Sequence, residues 1–148
     1  MIRPARSALF GALATAATAV AVLTAPAASA APGAFSVLIT AHTDFSQPVS
    51  SFDSNLPGCG SGTVVTGRSG VHVTPWGGNF VGVKEFTCAG GAAGFDLRLQ
   101  ARFGGGGSVG SWVVANAWGD LAGMKGSGRL VGIPTDIGID DNYAGTVR

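Results

Sequence analysis

Glycine spacing constrains this chain more than any other feature. Of its 25 glycines, 24 lie after residue 30, and beyond Gly58 no glycine-free run exceeds nine residues. Glycine costs about 1 kcal/mol in a helix interior relative to alanine, so helices of ordinary length are excluded from most of the chain. Short strands bounded by Gly, Asn, Asp and Pro remain. The expected fold class is therefore all-β.

The strands can be read off in order. Ala34–Ala41 is apolar and β-branched. Gly62–Arg68 is a second strand, Val71–Thr74 a third ended by Pro75, and Asn79–Cys88 a fourth. Gly94–Phe103 alternates cleanly: Phe95, Leu97, Leu99, Ala101 and Phe103 share one face, and Asp96, Arg98, Gln100 and Arg102 the other. After the turn Gly104–Gly107, the stretch Ser111–Gly132 supplies a sixth strand, a glycine-punctuated corner and a seventh. Asn142–Val147 is an eighth. His42–Pro57, glycine-free and of mixed polarity, is expected to be a lid-like loop or a short helical turn, because Pro48 interrupts anything longer. About eight short strands at spacings of roughly ten residues predict an antiparallel barrel, with a β-sandwich as the alternative.

The first thirty residues read as a leader rather than as part of the fold. Arg3 and Arg6 precede an uncharged run from Ala8 to Ala25, and Ala28-Ser29-Ala30 supplies the small residues a signal peptidase reads. Cleavage after Ala30 leaves a single domain, residues 31–148, destined for secretion and with no membrane span. That domain carries 7 basic and 8 acidic residues, a net charge of −1. A field so weak recruits neither nucleic acid nor anionic lipid. Its two cysteines, Cys59 and Cys88, are expected to form one disulfide in an oxidising compartment. By the chain-entropy relation such a bond contributes roughly 3 kcal/mol.

Catalytic and metal-binding signatures are sparse. No Gly-x-Ser-x-Gly elbow and no Walker-type lysine is present. His42 and His72 stand thirty residues apart and read as ordinary loop and strand histidines. Asp140-Asp141-Asn142 reads as the turn before the last strand, without the alternating oxygens and closing glutamate of a calcium loop. No metal or cofactor is expected.

The aromatics suggest more. Inward aromatics of a small barrel either fill the core or line a cavity that admits a small apolar ligand. The candidate lining is Phe95, Leu97, Leu99, Trp112, Val114, Asn116 and Trp118, with Asn116 as the lone polar side chain able to orient a ligand. In Ser111–Trp118 both alternating faces are largely apolar. Such a strand needs cover on both sides, from the core and from a loop, a neighbour or a second subunit, so a homo-oligomer is one expectation.

Trp112-Val-Val-Ala, then Gly119-Asp-Leu-Ala-Gly-Met-Lys-Gly-Ser-Gly-Arg-Leu, then Asp141-Asn-Tyr-x-Gly-Thr resembles the C-terminal half of small bacterial secreted proteins with an allene-oxide-cyclase-like, dirigent-like barrel. The resemblance covers about forty residues and rests mainly on turn glycines. It implies an eight-stranded antiparallel barrel with an apolar lumen, often oligomeric. Related barrels steer a cyclisation or a radical coupling by cavity shape, with a few polar side chains assisting. None of those polar residues matches a position in this chain, which also departs from the pattern in its cysteine pair and in His42–Pro57. The leading expectation is a secreted barrel that binds a small apolar molecule. A cyclase- or dirigent-like enzyme and a non-catalytic cell-surface interaction protein are the alternatives.

Overall fold

The computed structural model describes residues 33–148; the expected leader and its cleavage site lie outside the described residues. Eight antiparallel strands follow one another around a closed barrel: β1 (Phe35–Asp44), β2 (Ser50–Ser54), β3 (Ser61–Thr74), β4 (Gly77–Cys88), β5 (Gly94–Gly104), β6 (Gly107–Trp118), β7 (Gly126–Pro134) and β8 (Gly138–Val147). Each strand pairs with the next, and β1 closes the sheet against β8 from Phe35–Val147 to Asp44–Gly138. A sandwich is excluded, since no pair of free edges remains. The only helical element among the described residues is the 3-10 turn Gly119–Leu121 between β6 and β7.

The expected count of eight is right, but its membership differs. Residues 42–57 are neither a lid nor a helical turn: they hold the end of β1 and all of β2. Ser-Ser-Phe-Asp-Ser hides a strand because Phe52 is its single apolar residue, flanked on the inward face by the half-buried Ser50 and Ser54. Conversely, Gly62–Arg68 and Val71–Thr74 are one strand. The supposed break is a bulge, where the pairing steps from Thr66–Lys84 to Ser69–Gly82. Asp140-Asp141-Asn142 is not a turn either, because β8 already runs from Gly138.

A glycine-rich chain builds long strands here by seating aromatic rings on its glycines. Phe52 lies over its cross-strand partner Gly62, Phe103 over Gly78, and Trp118 over Gly94. Trp112 reaches across its partner Gly128 to Gly145 on β8. A methyl group added at Gly62 would stand 2.7 Å from Phe52 Cε1, and one at Gly145 2.6 Å from Trp112 Cζ2. Glycine weakens a strand by roughly 0.5–1 kcal/mol, and burying an aromatic side chain returns about 1.5–3 kcal/mol. The pairing therefore favours the strand. Gly77 (φ +135°) and Gly107 (φ +113°) have a different role: they follow two-residue turns with backbone angles that a side chain would strain.

Cys59, in the β2–β3 loop, and Cys88, the last residue of β4, form the expected disulfide, with Cα atoms 5.0 Å apart. It fastens the β2–β3 loop, with buried Leu56, over one end of the barrel.

Candidate functional site

The lumen is solid in one half and hollow in the other. Towards the disulfide, Phe52, Phe86, Phe95 and Tyr143 form a plug. Phe86 stacks on Phe95 at 4.8 Å between centroids and meets Phe52 and Tyr143 edge-on at 5.1 and 5.8 Å. Trp112 completes the plug, its indole N–H donating to the Arg129 carbonyl at 3.0 Å. These rings fill core, as aromatics in a close-packed interior do.

Beyond the plug, towards the β3–β4, β5–β6 and β7–β8 turns, the interior opens into a cavity of about 450 Å3. Its wall includes Phe80, Leu99, Ala101, Phe103, Leu130 and Ile139. Ser108 on β6 is a small inward residue of that wall, and at inward Gly132 on β7 the place of a side chain is taken by Ser108, Ile139 and Asp141. A methyl at Gly132 would come within 2.6 Å of Ile139 Cδ1 and 2.7 Å of Asp141 Oδ1. Exposed Phe45, Trp76 and Ile137 sit on the hairpin turns at this end, so the mouth is ringed with apolar side chains.

The cavity floor is polar and charged. Lys84 and Asp141, each only 7% exposed, both line it. Strand alternation places them there: Lys84 follows Phe80 and Gly82 on the inward face of β4, and Asp141 lies between inward Ile139 and Tyr143 on β8. The Lys84 ammonium donates to Thr43 Oγ1 at 3.2 Å. The Tyr143 hydroxyl donates to Asp141 Oδ2 across a long 3.5 Å. Among the described residues, ion pairs within 4.0 Å are those of His42 with Asp53 and Asp140, so Lys84 and Asp141 share the cavity without touching.

Burial governs the titration of all three groups. Desolvation holds the Lys84 amine below its ordinary value, and the attraction of Asp141 offsets this only in part. Desolvation raises the Asp141 carboxyl, with Asp140 adding to the rise and Lys84 and Tyr143 opposing it. Tyr143 is raised well above the usual phenol range by burial and then by the neighbouring Asp141. It stays protonated and donates. The floor thus holds an amine that burial biases towards the free base and a carboxyl that burial biases towards the acid.

The seven residues expected to line a cavity do not act together. Phe95, Leu97 and Trp112 belong to the solid half, and Leu99 alone of the seven lines the hollow. Val114 packs against the core as the partner of Leu97. Asn116 and Trp118 are turned to the outside, a correction with a specific cause. Asp96 pairs with Asn116 but Leu97 pairs with Val114, so Ala115 is bulged out and the alternation of β6 changes phase. Asn116 donates to Asp96 on the outer surface at 3.4 Å, and Trp118 covers Gly94. Lys84, Asp141 and Thr43 were missed as a site, although the first two are charged residues in phase with apolar ones.

A second cluster lies outside the barrel. His42 on β1 directs Nδ1 at Asp140 Oδ1 on β8 (3.0 Å) and Nε2 at Asp53 Oδ2 on β2 (3.4 Å). It ties three strands together and has no access to the lumen, since its neighbours Ala41 and Thr43 are the ones that point inward. Compared with known proteins, the chain matches no family model and no curated sequence.

Proposed function

We propose that this is an exported barrel protein that binds a small, apolar, uncharged molecule in the open half of its lumen. One observation carries the reading: a cavity of about 450 Å3, mostly apolar, has a buried amine and a buried carboxyl on its floor. That volume lies in the range of small-molecule sites, where a few placed polar groups orient an otherwise apolar ligand. Burial disfavours the charged forms of both floor groups, so a charged ligand entering this apolar space gives up its hydration without a full counter-charge. A neutral polar head can bond to both. Export is supported by the leader-like first thirty residues and by the disulfide. No helix among the described residues is long and apolar enough to cross a membrane. The closed eight-stranded architecture is the one that a kinship with allene-oxide-cyclase-like or dirigent-like barrels implies.

An enzyme of that kind is the second reading, and the convergence of Lys84 and Asp141 in one cavity favours it. Such a pair could shift a proton while the walls hold a reactive intermediate in one shape.

Binding is tested with N-phenyl-1-naphthylamine, a neutral apolar dye that brightens when desolvated. The wild-type protein is expected to bind it saturably. Ala101→Phe, which fills the cavity, is expected to abolish binding, and Val109→Ser on the outer surface to leave it unchanged. Equal binding by wild type and Ala101→Phe would overturn the lumen as the site.

A further inference from the structure

We propose that Lys84 forms a Schiff base with an apolar aldehyde held in the lumen. This rests on the reading of the hollow half as a ligand site and names the chemical class it takes. A buried lysine needs a reason, because an ammonium taken out of water without a close counter-ion is costly. The reason is not a salt bridge: Nζ has one neutral partner, Thr43 Oγ1 at 3.2 Å, and Asp141 stands beyond ion-pair contact. Nor is it packing, since the side chain ends in a cavity with room for a ligand of drug-like size. An amine so placed is a nucleophile presented to whatever occupies the space.

The carbonyl class follows from the neighbours. A carboxylate or ammonium ligand would be desolvated in this apolar space without a full counter-charge. An aldehyde is neutral, places its chain along Leu99, Phe80 and Ile139, and offers carbon to Lys84 and oxygen to Asp141. Addition of the Lys84 nitrogen to the carbonyl carbon breaks the C=O π bond and, after a proton moves from nitrogen to oxygen, leaves a carbinolamine. Asp141 as its acid protonates the departing hydroxyl, which leaves as water. The nitrogen then forms the C=N bond, and its remaining proton returns to the Asp141 carboxylate. Aldehyde and amine thus give imine and water, with no oxidant or reductant. Burial supports each role by biasing the amine towards the free base and Asp141 towards the acid.

The chain contains its own control, because its lysines are Lys84 and the exposed Lys125. The purified protein is incubated with nonanal at pH 7, the imine is trapped with sodium cyanoborohydride, and the product is read by intact mass and peptide mapping. One nonyl group on Lys84 is expected before any appears on Lys125, since the lumen holds the aldehyde beside Lys84 and burial favours its nucleophilic free base. Lys84→Met should lose that group while its far-UV circular dichroism stays that of the folded barrel, and Val109→Ser on the outer surface should label Lys84 as the wild type does. Asp141→Asn should label Lys84 more slowly. If nonanal displaces the dye yet labels only Lys125 and the amino terminus, the Schiff base is refuted and the ligand site stands. If neither nonanal nor the dye enters, both readings fall together.

Discussion

Replacing Lys84 and Asp141 together, as Lys84→Met/Asp141→Leu, is expected to make the protein more stable. The two groups face each other across the cavity from β4 and β8, each 7% exposed, with Thr43 and Tyr143 as their neutral partners. Their separation exceeds the 4.0 Å of an ion pair. At 4 Å two unit charges attract by about 4 kcal/mol at an effective dielectric of 20, which caps the attraction. Desolvation costs several kcal/mol for each ion, so the pair is a net burden. Apolar side chains of similar volume should raise the unfolding free energy by about 1–4 kcal/mol, as for other buried pairs. The assay is urea unfolding at pH 7, with an unchanged m-value confirming that the native and unfolded states stay comparable. A pH series supplies a second arm. Lys84 is lowered from 10.5, so between its folded and unfolded values the unfolded chain holds one more proton, and wild-type stability rises as pH climbs through that window. Asp141 is raised from 3.8, so there the native state holds the extra proton, and stability falls as pH climbs from 3.8 to the folded value. Both slopes should vanish in the double variant. A double variant no more stable than wild type, or one that keeps both slopes, would refute the claim that these charges are held against a folding cost.

Three further outcomes follow from the packing. Reducing the disulfide, or replacing Cys59 and Cys88 by serine, should lower stability by about 3 kcal/mol in urea titration, because the loop closed by the bond is loosened in the unfolded chain. Gly145→Ala should cost about 1–3 kcal/mol and shift the tryptophan emission, since the added methyl meets Trp112 Cζ2 and the Gly128 backbone on the packed side of the barrel. His42→Ala should change stability by no more than about 1 kcal/mol and leave dye binding intact, because its two carboxylate contacts lie on the exposed surface.

Most of the fold was legible because it depends on local patterns. The glycine spacing excluded helices, and the alternation in Gly94–Phe103 put Phe95, Leu97, Leu99 and Ala101 inside, where they are buried. The errors arose where the pattern is carried by something other than the local residues. β2 shows one apolar residue in five, and its strand state comes from pairing to Ala41 and Gly62 on either side. Gly62–Arg68 and Val71–Thr74 read as two strands, but a bulge joins them into one. Counting twos from Trp112 puts Asn116 inside, and the unpaired Ala115 defeats the count.

The charged floor differs in kind from these errors, because its signal was present and lay within single strands. Counting twos back from Cys88 gives Phe86, Lys84, Gly82 and Phe80, and counting back from Val147 gives Gly145, Tyr143, Asp141 and Ile139. In each series one charged residue occupies an apolar phase. A strand that serves only stability has no use for such a residue, since a charge on the inward face costs more than any aliphatic side chain in its place. The phase of a charge within a strand is thus more informative than its identity. Asp140 and Asp141 are adjacent, yet one binds His42 on the surface and the other lines the lumen. Register converts that single-residue step into opposite sides of the wall. Pairing β8 with β1 from Phe35–Val147 onward therefore sets which aspartate faces the cavity, and pairing β4 with β5 brings Lys84 level with Leu97 on the same inner surface.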